Sequence, residues 1–303
     1  MNASRLDAVL PLRPSDCERA RLLLRTLEWF FEDLETLWIV TPDDALGEVE
    51  AKVSHPRARF LSETEVVPEL GFYRTLYATS LILRRCLMGW YVQQLIKMSA
   101  ASFVGTPFYL TLDADVLCVR PLRTADLVRD GRGVCKRHGL DVHADWYAQA
   151  ERILSLPRSG FTHGVTPTVL SREGMLALHA YLAGRASPIW RRLGGPLAGW
   201  RGFLLRHLPW TEYALYFTFL EAQGLFERYH VPFPGTRLYG HSVWQDGNFE
   251  AWQPAELLLG DDAPFFCVVQ SSLGIDPRRV WEKIGPFLEN RVESRNQQTS
   301  HVS

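Results

Sequence analysis

Two carboxylates, Asp113 and Asp115, stand one residue apart at the end of the apolar run Phe108-Tyr109-Leu110-Thr111-Leu112. Side chains at i and i+2 share a side while the chain stays extended. Both carboxylates can therefore reach one hard divalent cation that keeps sites open for the oxygens of a phosphorylated ligand. Without a cation the pair would repel itself. Asp-x-Asp is also a common tripeptide in solvated turns and at helix N-caps, so the spacing by itself leaves both readings standing. The surroundings favour the cation: an apolar run leads into the pair and a second one, Val116-Leu117-Cys118-Val119, leaves it. A surface turn needs neither.

Other residues suited to chemistry lie on either side of this pair. Gln93, Gln94 and Lys97 form a dense polar set on a helical pattern just ahead of the apolar run, and Gln93 and Lys97, four apart, share a face. A lysine there would neutralise phosphate or grip a sugar hydroxyl, whereas a solvated helix edge is the plain alternative for Gln94. His163, beside Gly164 in the segment Gly160 to Leu170, is placed to meet a ligand if the segment is a flexible loop feeding a strand; a backbone-bonded loop imidazole is the alternative. Glu212 opens a helical segment, where an acidic residue can be an electrostatic cap and nothing more.

The elements that must position these groups follow from the apolar pattern. Leu6 to Leu12 reads as a first strand, Asp16 as the residue opening a helix through about Phe31, and Leu37 to Val40 as a second strand ending at Thr41-Pro42-Asp43-Asp44. A strand, helix, strand unit of this kind starts a nucleotide-binding type of sheet, whose ligands sit beyond the carboxyl ends of its strands. No Gly-x-Gly-x-x-Gly and no Walker loop is present, which removes the main support for dinucleotide and P-loop readings. Further on, helices are expected from Gly71 to Ala101 with a break at Gly89, over Ala144 to Leu154, Gly174 to Leu182, Pro188 to His207 and Thr211 to Gln223. A buried strand at Phe265 to Gln270 and a helix at Pro277 to Leu288 close the pattern.

With 303 residues, 47% of them hydrophobic and 12% aromatic, the chain can bury a large core. It reads as one α/β domain over 1–288, with a polar, flexible tail at 289–303. A formal charge of −1 with mixed signs leaves no electrostatic footprint for nucleic acid. Cys17, Cys86, Cys118, Cys135 and Cys267 are odd in number and widely spaced, which argues for reduced thiols and a cytoplasmic setting. No leader and no spanning run is evident; Ala198 to Trp210 reads as a buried helix, with peripheral membrane contact as its alternative.

Taken together, the opening unit, the helix with Gln93, Gln94 and Lys97, and the strand into Asp113-Ala114-Asp115 resemble GT-A glycosyltransferases, which use nucleotide-sugar donors. The likeness is to a poorly characterised group that carries Trp-Tyr-x-Gln-Gln-x-x-Lys and Thr-Glu-Tyr segments, and it covers roughly residues 6–270. It implies a Rossmann-type, mostly parallel central sheet flanked by helices, with a nucleotide-sugar half over about 6–136 and a helical acceptor-side half over about 137–288. It also implies Mn²⁺ or Mg²⁺ bridging the donor diphosphate, with Asp115 a direct ligand, Asp113 on the metal or the ribose, and His241 completing the site. Arg13, Asp43, Gln93, Lys97, Ala114, His163 and Gly164 become donor contacts by the same likeness. Glu212 becomes the base of an inverting transfer to a glycan, polysaccharide precursor or small hydroxyl acceptor; a retaining enzyme would leave it a sugar-hydroxyl ligand.

Two rival readings stand beside this one. A haloacid-dehalogenase-type phosphatase also uses Asp-x-Asp after an apolar strand, but its motif continues Gly-Thr where this chain has Val116-Leu117, and Gly260-Asp261-Asp262 would have to supply its downstream acidic pair. A non-catalytic carbohydrate-binding protein could use the ten Trp and ten Tyr to stack on sugar rings. The donor sugar and nucleotide, the acceptor, the stereochemical outcome and the oligomeric state are not legible in the sequence.

Overall fold

The computed structural model describes residues 5–79, 89–157, 160–186, 188–232, 237–245, 247–260 and 262–300. Its strands, in chain order, are β1 (Leu6–Pro11), β2 (Leu34–Thr41), β3 (Ala58–Ser62), β4 (Phe108–Thr111), β5 (Val116–Cys118) and β6 (Val128–Arg129). They continue with β7 (Arg132–Cys135), β8 (Arg137–His138), β9 (Thr162–His163), β10 (Thr168–Ser171), β11 (His230–Pro232) and β12 (Phe266–Val268). The central sheet runs β10-β4-β1-β2-β3, parallel throughout except for antiparallel β10 at one edge. Every residue of β1 and of β4 is buried, as strands covered on both faces require.

Alternation along β1 assigns its side chains to two cores. Ala8 and Leu10 join one cluster with the Cys17–Phe30 helix and the C-terminal helix, while Val9 joins the other with the Gly89–Ser99, Arg172–Arg185 and Glu212–Ala222 helices. The result is a mixed α/β layering with a mostly parallel sheet between helices, as the sequence implies. Chain order matters for the site: β1, β2 and β3 extend the sheet one way, and the chain then returns to place β4 on the other side of β1. The crevice between the ends of β1 and β4 is therefore a topological switch point, where sheets of this kind bind ligands.

Several expected elements are present and some are changed. The helices Cys17–Phe30, Ala144–Leu154 and Glu212–Ala222 stand where the pattern puts them. Ser171 caps the Arg172–Arg185 helix, its side chain accepting from the Gly174 N–H. Asp16 occupies the cap position of the first helix, but its side chain makes no capping bond. The Gly71 to Ala101 pattern appears as Leu70–Thr79 and Gly89–Ser99, with 80–88, including Cys86, outside the described residues. The other four cysteines are free and buried. Pro188 to His207 is two helices, Pro188–Leu193 and Trp200–Leu205, because Gly194 and Gly195 take positive φ and Pro196 follows. Phe203, Leu204 and Leu205 are buried, so the second of these packs into the core.

The reading of a flexible tail from Glu289 is corrected. The last helix continues from Pro277 through Ser300, with Pro286 inside it. Arg291 donates to the carbonyls of Val119 at 2.7 Å and Leu258 at 2.6 Å, and Arg295 donates to the Trp29 carbonyl at 3.3 Å. A polar composition suggests a solvated segment, but long arginine side chains can lie along a folded surface and close hydrogen bonds back onto it. Among the described residues no helix is long and apolar enough to cross a membrane.

One polar chain locks the strands β7, β10 and β11 to the Glu212–Ala222 helix. The Ser171 N–H donates to Tyr216 Oη at 2.9 Å, Tyr216 Oη lies 2.7 Å from His230 Nε2, and His230 Nδ1 lies 3.0 Å from the Gly133 carbonyl. The carbonyl needs a donor, so His230 carries its proton on Nδ1 and accepts from the tyrosine. Burial pushes its pKa down from 6.5 to about 3, against the pull of the Gly133 carbonyl. A folded pKa below the unfolded one means that stability is present above pH 6.5 and is lost as pH falls toward 3. At about 1.36 kcal/mol per unit, His230 alone should remove about 2 kcal/mol between pH 6.5 and 5. Denaturant unfolding measured across that window should show the loss and should show a flatter slope in His230→Gln; an unchanged slope in the variant would assign the loss elsewhere.

Candidate active site

The Gly89–Ser99 helix delivers Lys97 to the end of β4. Lys97 Nζ lies 2.7 Å from Asp113 Oδ1 and 3.4 Å from Glu212 Oε1, and it donates to Thr166 Oγ1 at 2.9 Å. Thr166 and Thr111 hydroxyls in turn flank the Tyr213 hydroxyl at 2.7 and 2.8 Å. Lys97 and Glu212 are buried, while Asp113 keeps 35% of its side chain exposed. Burial works against the ammonium, but Asp113 first, then Tyr213 and Glu212, outweigh it and hold the Lys97 pKa well above 10.5. Lys97 is therefore a fixed cation that joins the first aspartate to the glutamate.

Glu212 reaches this position because the Glu212–Ala222 helix is buried along nearly its whole length, and a helix apolar all round belongs inside. Its first residue faces Lys97. Thr211 caps the helix by accepting from the Ala214 N–H at 3.2 Å, and the Glu212 N–H donates to Gln94 Oε1 at 3.0 Å. Gln94 is thus a structural partner of Glu212. Burial raises the Glu212 pKa, Lys97 pulls it down and Asp113 pushes it up again, with a net rise.

Asp115 is held from the far end of the chain. β12 pairs with β5 in antiparallel register, Val268 opposite Val116, so the residues after β12 run past the aspartate. The Val269 N–H donates to the Asp115 carbonyl at 3.1 Å and the Ser271 N–H to its Oδ2 at 2.8 Å. Burial and the neighbouring Asp113 charge push its carboxyl from 3.8 up to about 6, against the Ser271 hydrogen bond. Lys97 thus pairs with two carboxylates, Asp113 and Glu212, while Asp115 feels the charge of Asp113 with only a weaker attraction from Arg19. That excess of negative charge, carried by hard oxygen donors, suits a divalent cation.

Two contiguous cavities open here. The outer one, about 690 Å³, lies at the switch point and takes Pro11 and Asp16 from the end of β1, Asp113, Ala114 and Asp115 from the end of β4, and Gln270 and Ser271 after β12. Gln93, Lys136, His138 and Tyr239 also line it. Lys136 donates to the Tyr239 carbonyl at 3.1 Å and sits 4.1 Å from that ring's centre. The inner cavity, about 180 Å³, shares Asp113 and Trp90 with the outer and is closed by Lys97, Glu212 and Tyr213, with Trp146 on its wall.

The expected residues divide accordingly. Gln93, Lys97, Asp113, Ala114, Asp115, Gly164 and Glu212 come together around the two cavities. A side chain at Gly164 would meet the Tyr239 hydroxyl at 2.3 Å, so glycine there permits the close approach of that ring. His163 belongs to the same wall, but its ring is turned into the core. It stacks on Phe217, with Nε2 3.1 Å from Glu221 and Nδ1 3.6 Å from Cys135 Sγ.

Three expected ligands lie outside the cavity walls. His241 is exposed with φ 51°, and its carbonyl accepts from Trp252. Arg13 is exposed with its guanidinium against Gly89, and Asp43 accepts the Thr64 hydroxyl. Pro11 and Asp16 take the place at the end of β1 that Arg13 was expected to fill. Among the described residues no three His, Cys, Asp or Glu side chains gather to hold a metal. A cation held by Asp113 and Asp115 would draw its other ligands from water and substrate, as Mg²⁺ commonly does. Asp262, from the acidic pair of the phosphatase reading, has a fully exposed side chain, and Asp261 lies outside the described residues.

Lys136, His138, Tyr239 and Ser271 are cavity residues that the sequence reading did not select. Each stands in a short segment without a motif, and only pairing between distant strands brings them to the aspartates.

Comparison with known proteins gives a family and a remote structural likeness. The model of a family of unknown function, DUF6492, matches residues 3–291. The crystal structure of mouse xyloside xylosyltransferase 1, apo form, is similar with a TM-score of 0.49 and 12% sequence identity, over 90% of this chain and 100% of that one. No curated protein matches the chain.

Proposed function

The chain belongs to DUF6492, a family of unknown function, and we propose from its site that it is a divalent-cation-dependent glycosyltransferase, inverting in outcome. It moves a sugar from a nucleoside-diphosphate sugar to a hydroxyl acceptor. The observation that carries this reading is the placement of Asp113 and Asp115 at the switch-point end of β4, facing a cavity of about 690 Å³, with Glu212 joined to Asp113 through Lys97. Asp113 and Asp115 would hold Mn²⁺ or Mg²⁺, which when bound supplies positive charge to the leaving diphosphate.

The chain's own residues do the rest. Lys97 fixes Asp113 and keeps a positive charge beneath the reacting groups. Lys136 offers a second ammonium at the outer cavity, where a diphosphate would lie. The Ser271 N–H orients the Asp115 carboxylate. Glu212, buried with a raised pKa, takes the proton of the attacking hydroxyl. The four described cysteines, free and buried, fit a cytoplasmic enzyme.

A panel of UDP-, GDP-, CMP- and TDP-sugars tested with Mn²⁺ or Mg²⁺ and with chelator decides the matter. At least one sugar nucleotide should raise the thermal midpoint and be hydrolysed only with the cation, since a ligand that binds the folded form alone stabilises it. Phosphate release from a monoester would replace the proposal with a phosphatase. Binding of sugars without turnover of any donor would replace it with a carbohydrate-binding role.

A further inference from the structure

The inner cavity differs from the outer in kind. Its closed end is polar, formed by Glu212, Lys97, Asp113 and Thr166, while its side carries Trp90 and Trp146. These two indoles lie 5.2 Å apart, tilted by 45°, and Trp90 keeps 43% of its surface exposed. Tyr91 also packs edge-on against Trp90, and the part of the indole left exposed beside a buried carboxylate has an apolar surface to offer. At about 180 Å³ the chamber admits a ring-sized group and excludes a whole nucleotide, for which the adjoining outer cavity of about 690 Å³ has room.

We infer that the inner chamber is the acceptor subsite and that it takes a saccharide ring, whose apolar face lies on the Trp90 and Trp146 wall while a ring hydroxyl points to Glu212. This rests on the proposed transferase reading, since it is the base that directs the hydroxyl inward. The wall selects among hydroxyl acceptors. A pyranose presents axial C–H groups to an indole and hydroxyls around its edge, which matches an aromatic side and a polar end. A flexible serine-bearing peptide presents no such face. Trp146 lines only the inner chamber, whereas Trp90 lines both, so Trp146 separates acceptor binding from donor binding.

The test uses the full chain and methyl glycosides of common hexoses and pentoses as probes, followed by tryptophan fluorescence without donor and by transfer kinetics with donor and cation. At least one glycoside should quench the wild-type protein saturably and accept the sugar. Trp146→Ala should raise the acceptor KM about tenfold, the scale of one ring contact, and Trp146→Phe should restore most of it. If Trp146→Ala fails to fold, the Phe variant and the wild-type quenching decide. An unchanged acceptor KM, no glycoside binding, or quenching by UMP that a glycoside cannot relieve would overturn the inference. Cation-dependent donor hydrolysis with no glycoside binding would do so while leaving the transferase reading intact; absence of both would remove the transferase reading itself.

Discussion

Asp115→Asn should raise the stability of the metal-free protein at neutral pH and at the same time remove its cation-dependent turnover. The two effects have opposite signs, and that is what makes the variant informative. In the folded chain the Asp115 carboxyl is pushed from 3.8 up to about 6 by burial first and by Asp113 second. Between those values the folded state keeps a proton that the unfolded state has released. Stability therefore falls as pH rises through the window, and the cost is complete above about 6. A shift of roughly two units corresponds to about 3 kcal/mol, and partial contact with solvent reduces it to about 1–2 kcal/mol.

Asparagine keeps the shape and can still accept from the Ser271 N–H, which lies 2.8 Å from Oδ2, but carries no charge. Denaturant unfolding in chelator should show the gain at pH ~7.5 and none at pH ~4. Turnover should fall at least about 10²-fold, the scale for losing one fixed group that stabilises charge in a transition state. The wild-type midpoint shift on adding Mn²⁺ should also grow as pH rises through about 6, since proton and cation compete for one carboxylate. A variant that gains no stability at neutral pH would remove the charge argument, and one that keeps the cation-dependent turnover and the Mn²⁺-induced midpoint shift would sink the cation role.

What the sequence made legible was the part of the site built from local pattern. The strand into Asp113 and Asp115, the shared face of Gln93 and Lys97, and the helix opening at Glu212 each need only neighbours within one element, and each stands where expected. The link between them did not follow. Lys97 bridging Asp113 and Glu212 depends on three elements meeting, and a charged trio of this kind leaves no spacing in the chain.

Misplaced ligands fail for a related reason. His163 sits by a glycine that does shape the cavity, yet the carboxylate of Glu221 and the ring of Phe217 compete for its imidazole and win it for the core. His241 follows a glycine in an aromatic segment, but positive φ there and exposure leave it outside the cavity walls. Ser271, which orients Asp115, is found only through the β5–β12 pairing across some hundred and fifty positions. The helix past Glu289 depends on Arg291 finding the carbonyls of Val119 and Leu258, contacts that composition cannot encode.

Glu212→Gln should lower the transfer rate by about 10²–10⁴, the range for losing a positioned general base, while donor binding read as a cation-dependent thermal shift survives. Glutamine preserves the volume of a buried side chain and can accept from Lys97, which stays anchored by Asp113 at 2.7 Å. The outer cavity therefore keeps its shape and its charge on Asp113 and Asp115. Burial sets the Glu212 pKa above its usual 4.5, although Lys97 opposes the rise. The wild-type rate should accordingly climb with pH on an acid limb displaced above that value, and the limb should be absent in the variant. A sugar-hydroxyl ligand at the same position would behave otherwise. Its loss would weaken the donor-induced shift and raise the donor KM, and the residual rate would keep the wild-type pH profile. The split between kcat and KM, measured alongside the pH dependence, thus separates a base that inverts the anomeric centre from a contact that a retaining enzyme would use.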